Sequence, residues 1–454
     1  MGTTAANRRK SSKIIAGRQP RGSRPSAAVC PAPPAAPSRF VIHGGRPLNG
    51  EVTVGGMKNA VTPILAATLL MSEPCVIRNV PKLSDVERML DILRSLGSTV
   101  EWTGDREVTV DTRKADIASI DAKAVKSMRS SILFLGPLLA RFGQVDLPEP
   151  GGCIIGNRPI DTHLTALEAL GATVEKRDGV VKLTSRGLRG TKIILPEFSV
   201  TATENAMMAA ATAAGRTVIH LAAAEPHVQD LAKFLNSAGA RISGIGSHAL
   251  VIDGVAKLKG AVHAVIPDQI EIGTFAVLGA VTKGTLRIRG VAPEHLDIIL
   301  LVLKRAGVRH SVEGDSLVLA SQSSLSAFRL QTMPYPGFPT DLQAPFGVLA
   351  TQCSGTTLIH DPLFEGRLGY VNELIKMGAN AVICDPHRVL ISGPTPLYGQ
   401  EIRGLDLRAG ATLVIAGLIA QGETVLHGAE IIDRGYEDLD GRLTAVGADI
   451  VRAR

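Results

Sequence analysis

The residues best suited to chemistry crowd into the stretch Asp146–His163, DLPEPGGCIIGNRPIDTH. Cys153 follows Pro148, Pro150 and the Gly151-Gly152 pair, a composition that suits neither a helix interior nor a central strand and reads as an exposed, mobile loop. Five residues on comes Arg158, then Pro159, Ile160 and Asp161, a proline-led helix start. A guanidinium within loop reach of a thiol favours the thiolate, and a thiol with a pKa of ~8.5 can give a proton close to neutral pH. The bland alternative is a small buried hydrophobe, the fate of most free cysteines.

Other candidates emerge from a repeat. A helix-closing glycine before a β-type run recurs at Gly97, Gly171, Gly239, Gly307, Gly378 and Gly447, and a second helix-end mark at Ser72, Gly143, Gly215, Gly284, Gly355 and Gly422. Glycine after an amphipathic helix is the left-handed C-cap, so each unit of about 70 residues holds two helices and several strands. Six such units are too large for a solenoid and suit two domains of three. Fourteen residues before the second marks stand Lys58, Arg129, Thr201, Ile270, Asp341 and Arg408, equivalent positions in six modules. Lys58, Arg129, Arg408 and, ahead of a helix expected over 436–446, Arg434 fall at helix starts, where the macrodipole makes a cation unfavourable by ~0.3–1 kcal/mol. A bound anion would offset that cost. Asp341, in PGFPTDLQ, puts a carboxylate where its siblings put cations.

These elements belong to a chain of 454 residues, too long for one ordinary core. With 45% apolar and 3% aromatic residues, the core must be built of Leu, Ile, Val and Ala, which suits helices packed on sheets. The net charge of +7 does not mark a nucleic-acid binder: residues 1–38 carry seven cations and no acid, which leaves a neutral body. That Pro-, Ala-, Ser- and Arg-rich stretch reads as a disordered basic tail. No apolar run approaches the ~18 residues of a membrane span, and five scattered cysteines without metal spacing fit a reducing compartment, so a cytoplasmic location is expected.

Residues 40–451 resemble the UDP-N-acetylglucosamine enolpyruvyl transferases (UDP-N-acetylglucosamine 1-carboxyvinyltransferases) of the EPSP synthase-like superfamily. The motifs are GGMKNA around Lys58 and Asn59, SMRSSI around Arg129, PGGCIIGNRPIDTHL around Cys153 and Arg158, PGFPTDLQAPF around Asp341, LDLRAGATLV around Arg408 and IDRGYE around Arg434. The resemblance implies an α/β fold, a two-domain inverse α/β barrel, with residues 58–266 as the domain carrying the cysteine loop and residues 39–57 plus 267–454 as the other. It implies transfer of the enolpyruvyl group of phosphoenolpyruvate to the 3′-hydroxyl of UDP-N-acetylglucosamine by addition–elimination, the first committed step of peptidoglycan synthesis, without metal or organic cofactor. Lys58, Asn59, Arg158, Arg408 and Arg434 would then meet phosphoenolpyruvate. Asn59, Arg129, Arg158, Pro159, Ile160, Asp161, His163, Ser199, Val200, Asp341 and Leu363 would meet the sugar nucleotide. Cys153 would be the general acid and the site of alkylation by fosfomycin-type epoxides, with Asp341, Lys58 and Arg408 completing the catalytic set.

Thr201, His227 and Gln269 depart from the family's usual residues, and Glu197 places an acid close to the expected diphosphate. These bear on the acceptor. An enolpyruvyl transferase for another nucleotide, such as a nucleoside monophosphate, and a non-catalytic anion-binding relative are the competing expectations.

Overall fold

A computed structural model describes residues 38–149, 151, 159–322 and 324–454, all within a compact unit spanning 35–454. Cys153, Arg158 and all of the expected tail except Ser38 lie outside the described residues. Ser38 is tied down, its N–H donating to Glu430 Oε2 at 2.9 Å and its carbonyl accepting from Gly428 N at 3.0 Å.

Twelve helices recur in pairs: α1 (Lys58–Ala67) and α2 (Ser84–Ser95), α3 (Leu135–Phe142) and α4 (Asp161–Ala169), α5 (Val200–Ala210) and α6 (Pro226–Ser237), α7 (Gln269–Val281) and α8 (Asp297–Arg305), α9 (Gln343–Thr351) and α10 (Tyr370–Lys376), α11 (Leu407–Ile419) and α12 (Leu439–Ala445). The first members of the pairs are mostly apolar and largely buried; every residue of α7 and α9 is buried, and in α1 all but Asn59. The second members are amphipathic. In α2, for example, Val86, Met89, Leu90, Ile92 and Leu93 are buried and the opposite face is polar.

All six glycines assigned as helix closers have positive φ, from 79° at Gly307 to 103° at Gly239, so the repeat reflects a real backbone requirement. Gly284 differs from its siblings. There Lys283 takes the left-handed conformation (φ 59°), and Gly284 is needed because a Cβ would collide with the Leu48 carbonyl.

Strands form five four-stranded sheets and one three-stranded sheet among the described residues, none of them closed. Each four-stranded sheet has three antiparallel strands and one parallel edge strand. Strand faces alternate, as in Glu423–His427, where Thr424 and Leu426 are buried while Glu423 is exposed and Val425 and His427 are half-buried. The inverse barrel is thus an inner set of helices with open sheets outside.

Two edge strands are exchanged. Gly50–Thr53 runs into α1, yet pairs with Leu286–Arg289, the strand that follows α7. Val262–Ala264 precedes α7, yet pairs with Cys75–Arg78, the strand beyond α1. The two crossing segments bind each other where they pass: Met57 N donates to Ile266 O at 2.8 Å and Asp268 N to Gly55 O at 3.0 Å. The first strand, Arg39–His43, lies between the two C-terminal strands Glu423–His427 and Asp449–Ala453.

Candidate active site

A cleft of about 640 Å3, within the usual size range for small-molecule sites, is lined by Lys58, Asn59, Arg129, Asp341, Arg408 and Arg434. Pro159, His163, Ser199, Val200 and Leu363 face the same space. Ile160 is buried at the start of α4, and Asp161 is exposed and pairs with Lys176 at 2.5 Å, so neither lines the cleft.

Lys58 opens α1 because the chain can turn sharply at the glycine pair before it; a Cβ on Gly56 would overlap the Asn79 carbonyl. The ammonium is 2.7 Å from Asp85 Oδ2. Asp85 also holds Arg434 (Nε to Oδ1, 3.0 Å) and Arg88 (Nη1 to Oδ1, 2.9 Å), and only 2% of its side chain is exposed. Burial alone would push this carboxyl up, but Lys58 and Arg434 outweigh it and hold the pKa at about 2.

Asp341 sits in a single-turn 3-10 helix just ahead of α9 and joins two further cations, Arg367 Nη2 at 2.6 Å and Arg408 Nε at 3.3 Å. Its burial is likewise outweighed by Arg367 and Arg408, which hold its carboxyl far below the usual range. Asp361 fixes the surrounding loops: it accepts from Thr332 (2.8 Å), Thr340 (2.5 Å) and the Leu363 N–H (3.0 Å). Arg408 occupies the first turn of α11, whose N-terminal amides at 408 and 409 are capped by Asp406 at 2.8 and 3.1 Å. The Arg408 guanidinium also lies 5.3 Å from the Tyr436 ring centroid and 4.0 Å from Asp268. Burial raises the Asp268 carboxyl to about 6, against the opposing pull of Arg408.

The protein's own carboxylates already meet several of these cations. Asp85 already compensates Lys58 and Arg434; Asp406, Asp341 and Asp268 compensate Arg408. Arg434 itself does not begin a helix. It follows the short helix Ala429–Ile432, and the next one starts at Leu439 rather than 436, because Asp438 adopts a left-handed backbone (φ 43°).

Arg129 opens the 3-10 turn Arg129–Phe134 that leads into α3, with Nη2 3.5 Å from the Pro159 carbonyl. The adjoining wall is set by Asn205, whose Oδ1 accepts from Gly136 N (2.7 Å) while Nδ2 donates to Ile132 O (2.9 Å) and to His163 Nδ1 (3.0 Å). That assignment leaves the His163 proton on Nε2, facing Thr201 Oγ1 at 3.0 Å. Glu197 accepts from Thr162 Oγ1 at 2.9 Å.

Sequence reasoning missed Asp85, Arg367, Glu204, Glu225 and His295, all of which line the cleft. Asp85 had a weak signal, an acid three residues before Arg88 in the first turn of an otherwise apolar-faced helix. The others had none. Several buried polar atoms in this cleft have no hydrogen-bond partner among the described residues: Arg367 Nε, Arg408 Nη1, Glu204 Oε1, His227 Nδ1 and His295 Nδ1. Polar atoms left so are costly unless a ligand meets them. Cationic groups fixed at 2.6–3.3 Å from carboxylates in a largely desolvated cleft can hold a multiply charged anion and stabilise charge developing on it.

A chain of exchanged-strand α/β modules with this cleft belongs to the EPSP synthase family: the family model described as EPSP synthase (3-phosphoshikimate 1-carboxyvinyltransferase) matches residues 42–443. Within it, the chain is 45% identical over 414 residues to UDP-N-acetylglucosamine 1-carboxyvinyltransferase 1 of Carboxydothermus hydrogenoformans, covering 91% of this chain and 98% of that one. It is 42% identical to UDP-N-acetylglucosamine 1-carboxyvinyltransferase of Bradyrhizobium diazoefficiens, over 92% and 98% of the two chains. Among solved structures, the enolpyruvyl transferase NikO from Streptomyces tendae superposes with a TM-score of 0.85 at 28% identity, covering 92% of this chain and 99% of that one. EPSP synthase from Acinetobacter baumannii, at 19% identity and a TM-score of 0.70 over 92% of this chain and all of its own, shares the fold.

Proposed function

We propose that the chain transfers the enolpyruvyl group of phosphoenolpyruvate to the 3′-hydroxyl of UDP-N-acetylglucosamine and releases phosphate, the entry step of peptidoglycan synthesis. The observation that carries this reading is the pairing of two carboxylate-held cation sets in one cleft, Lys58 and Arg434 on Asp85, and Arg367 and Arg408 on Asp341. Identity above 40% along nearly the whole length of transferases named for this reaction supports the acceptor.

In the first step the hydroxyl oxygen attacks C2 of phosphoenolpyruvate, its proton leaves, and C3 gains a proton, giving a tetrahedral phospholactoyl adduct. In the second, C3 gives up a proton and the C2–O bond to phosphate breaks, restoring the vinyl group on the new ether. Lys58, Arg408 and Arg434 hold the phosphate and carboxylate, with Asn59 beside them. Arg158 joins them in this assignment, and Cys153 gives the proton to C3. Asp341 orients the hydroxyl and takes its proton. Paired with two guanidiniums it is a weak base; a bound anion that draws off part of their field raises its basicity where the proton is released. Arg129, Ser199, Val200, His163 and Leu363 line the way to the nucleotide.

The exchanged strands and the contacts between residues 55–57 and 266–268 support two domains, 58–266 and 39–57 plus 267–454, joined by two crossings beside the cleft. A cytoplasmic place, where phosphoenolpyruvate is made, follows from the substrate. No helix among the described residues is long and apolar enough to cross a membrane. The test is phosphate release from phosphoenolpyruvate with a panel of acceptors. Release with UDP-N-acetylglucosamine, and little with nucleoside monophosphates or shikimate 3-phosphate, is expected; release with one of the latter alone would overturn the acceptor.

A further inference from the structure

Behind the cleft wall made by Thr340, Pro362 and Leu363 lies a fully buried carboxylate, Asp361, that the proposed reaction does not use. It follows the strand Gly355–His360, and no cationic side chain among the described residues pairs with its carboxylate. Its partners are neutral donors: Thr332 Oγ1 at 2.8 Å and the Leu363 N–H at 3.0 Å on Oδ1, and Thr340 Oγ1 at 2.5 Å on Oδ2. The backbone of Asp361 is pinned as well, its N–H donating to the His387 carbonyl at 2.8 Å and its carbonyl accepting from His387 Nδ1 at 2.7 Å. Burying a carboxylate among neutral donors is costly, and an uncharged side chain could join loops without that cost. What Asp361 holds is therefore informative. Thr340 immediately precedes Asp341 in their single-turn helix, and Leu363 opens the stretch that leads to Arg367.

We infer that Asp361 is a positioning residue for the reaction: through Thr340 and the Leu363 amide it sets where the Asp341 carboxylate meets the Arg367 guanidinium. This rests on the proposed function, in which Asp341 orients the acceptor hydroxyl and takes its proton. The backbone of Arg367 has a second, separate anchor. Gln343, fully buried in the first turn of α9, donates from Nε2 to the Arg367 carbonyl at 3.1 Å, and its Oε1 accepts from the buried Tyr370 hydroxyl at 3.1 Å. The 2.6 Å contact between Arg367 and Asp341 is thus the meeting point of two segments, both tied to Asp361 and one of them also to α9. A displacement of ~1 Å at such a point can cost about 100-fold in rate, so the ties matter to turnover as well as to folding.

The experiment measures kcat and both KM values for the full-length native chain, Asp361→Asn, Thr340→Val and Thr340→Ser, and repeats Thr340→Val in an Asp341→Asn background. Asp361→Asn leaves one acceptor oxygen where the native side chain has two, and Thr340→Val removes only the hydroxyl beside Asp341. Each is expected to lower kcat about 10-fold while both KM values stay within about 3-fold. Thr340→Ser, which keeps the hydroxyl, should return kcat to within about 2-fold of native. In the Asp341→Asn background Thr340→Val should lower the residual kcat by less than about 2-fold, because the group it positions is already gone. A purely structural tie would remove the same fraction of turnover from both backgrounds. That equality, native kcat in both Asp361→Asn and Thr340→Val, or Thr340→Ser as impaired as Thr340→Val, would each overturn the inference. A native chain that releases phosphate only with an acceptor other than UDP-N-acetylglucosamine would refute the proposed function; the positioning role is then judged by the same pair of backgrounds assayed with that acceptor.

Discussion

Replacing Asp85 by Asn keeps the shape of the side chain and removes the charge that three cations share. The native carboxyl, at about 2 against an ordinary 3.8, is depressed by nearly two pH units, which corresponds to roughly 2 kcal/mol of folding stability. Because the folded pKa is the lower one, that contribution is complete above about pH 4 and is lost as the pH falls towards 2. In the variant Lys58, 9% exposed, and Arg434, 17% exposed, also keep their charges without the Asp85 carboxylate, and breaking a buried pair costs about 3–5 kcal/mol. A loss of about 3 kcal/mol at pH 7 is expected, read as a fall in melting temperature of several degrees. Thermal melts of native and Asp85→Asn protein from pH 7 down to pH 3 should show a gap that narrows as the native carboxyl begins to protonate. Phosphoenolpyruvate should raise the melting temperature of the variant by more than that of the native chain, since it neutralises positive charge that the Asp85 carboxylate no longer meets. Adding Lys58→Met to Asp85→Asn should recover part of the loss. Equal melting temperatures at pH 7, or a double variant less stable than Asp85→Asn, would refute this account of the cluster.

Arg408→Ala or Arg434→Ala should lower kcat/KM for phosphoenolpyruvate by about 100-fold, a loss of roughly 2.7 kcal/mol, comparable to one lost oxyanion contact; steady-state kinetics near native values for both would remove the anion-site assignment. Cys153→Ser should be severely impaired, since a hydroxyl is too weak an acid to protonate C3 near pH 7, while Cys153→Asp should retain turnover that grows at low pH where its carboxyl is protonated. A fosfomycin-type epoxide should add only to the native thiol, and mass spectrometry locating the adduct on Cys75, Cys353 or Cys384 would count against it. Removing residues 1–37 should leave turnover unchanged, because the excess charge of the chain is confined there; a folded truncation with a large loss of activity would contradict that.

The modular fold was legible because its punctuation is local. Glycines such as Gly97 and Gly447 end helices through their own backbone freedom, and the apolar runs of α7 and α11 announce burial without reference to any neighbour. Lys58, Asn59, Asp341 and Arg408 were legible for the same reason, since each follows a turn signal at the start of an apolar helix. The exchange of Gly50–Thr53 and Val262–Ala264 rests on pairing across more than 180 residues, which no local pattern records. Asp85 looked like an ordinary first-turn acid on an amphipathic helix; only the arrival of Lys58 and Arg434 makes it a buried hub. Arg367 and Glu204 were hidden because a charged residue in an unremarkable segment carries no sign of its distant partner. The helix expected over 436–446 was overextended because its hydrophobic spacing gave no hint of the left-handed turn at Asp438.

Phosphoenolpyruvate carrying 18O in the oxygen that bridges C2 and phosphorus tests the central claim most directly. Enolpyruvyl transfer breaks the C2–O bond, so with UDP-N-acetylglucosamine as acceptor mass spectrometry should find the label in the released phosphate, and the acceptor should gain an unlabelled vinyl ether. Label left on the three-carbon product, with phosphate passed to the acceptor or to water, would mean that the cleft cleaves the P–O bond, and would contradict the reading of Lys58, Asp341, Arg408 and Arg434 as the machinery of carboxyvinyl transfer.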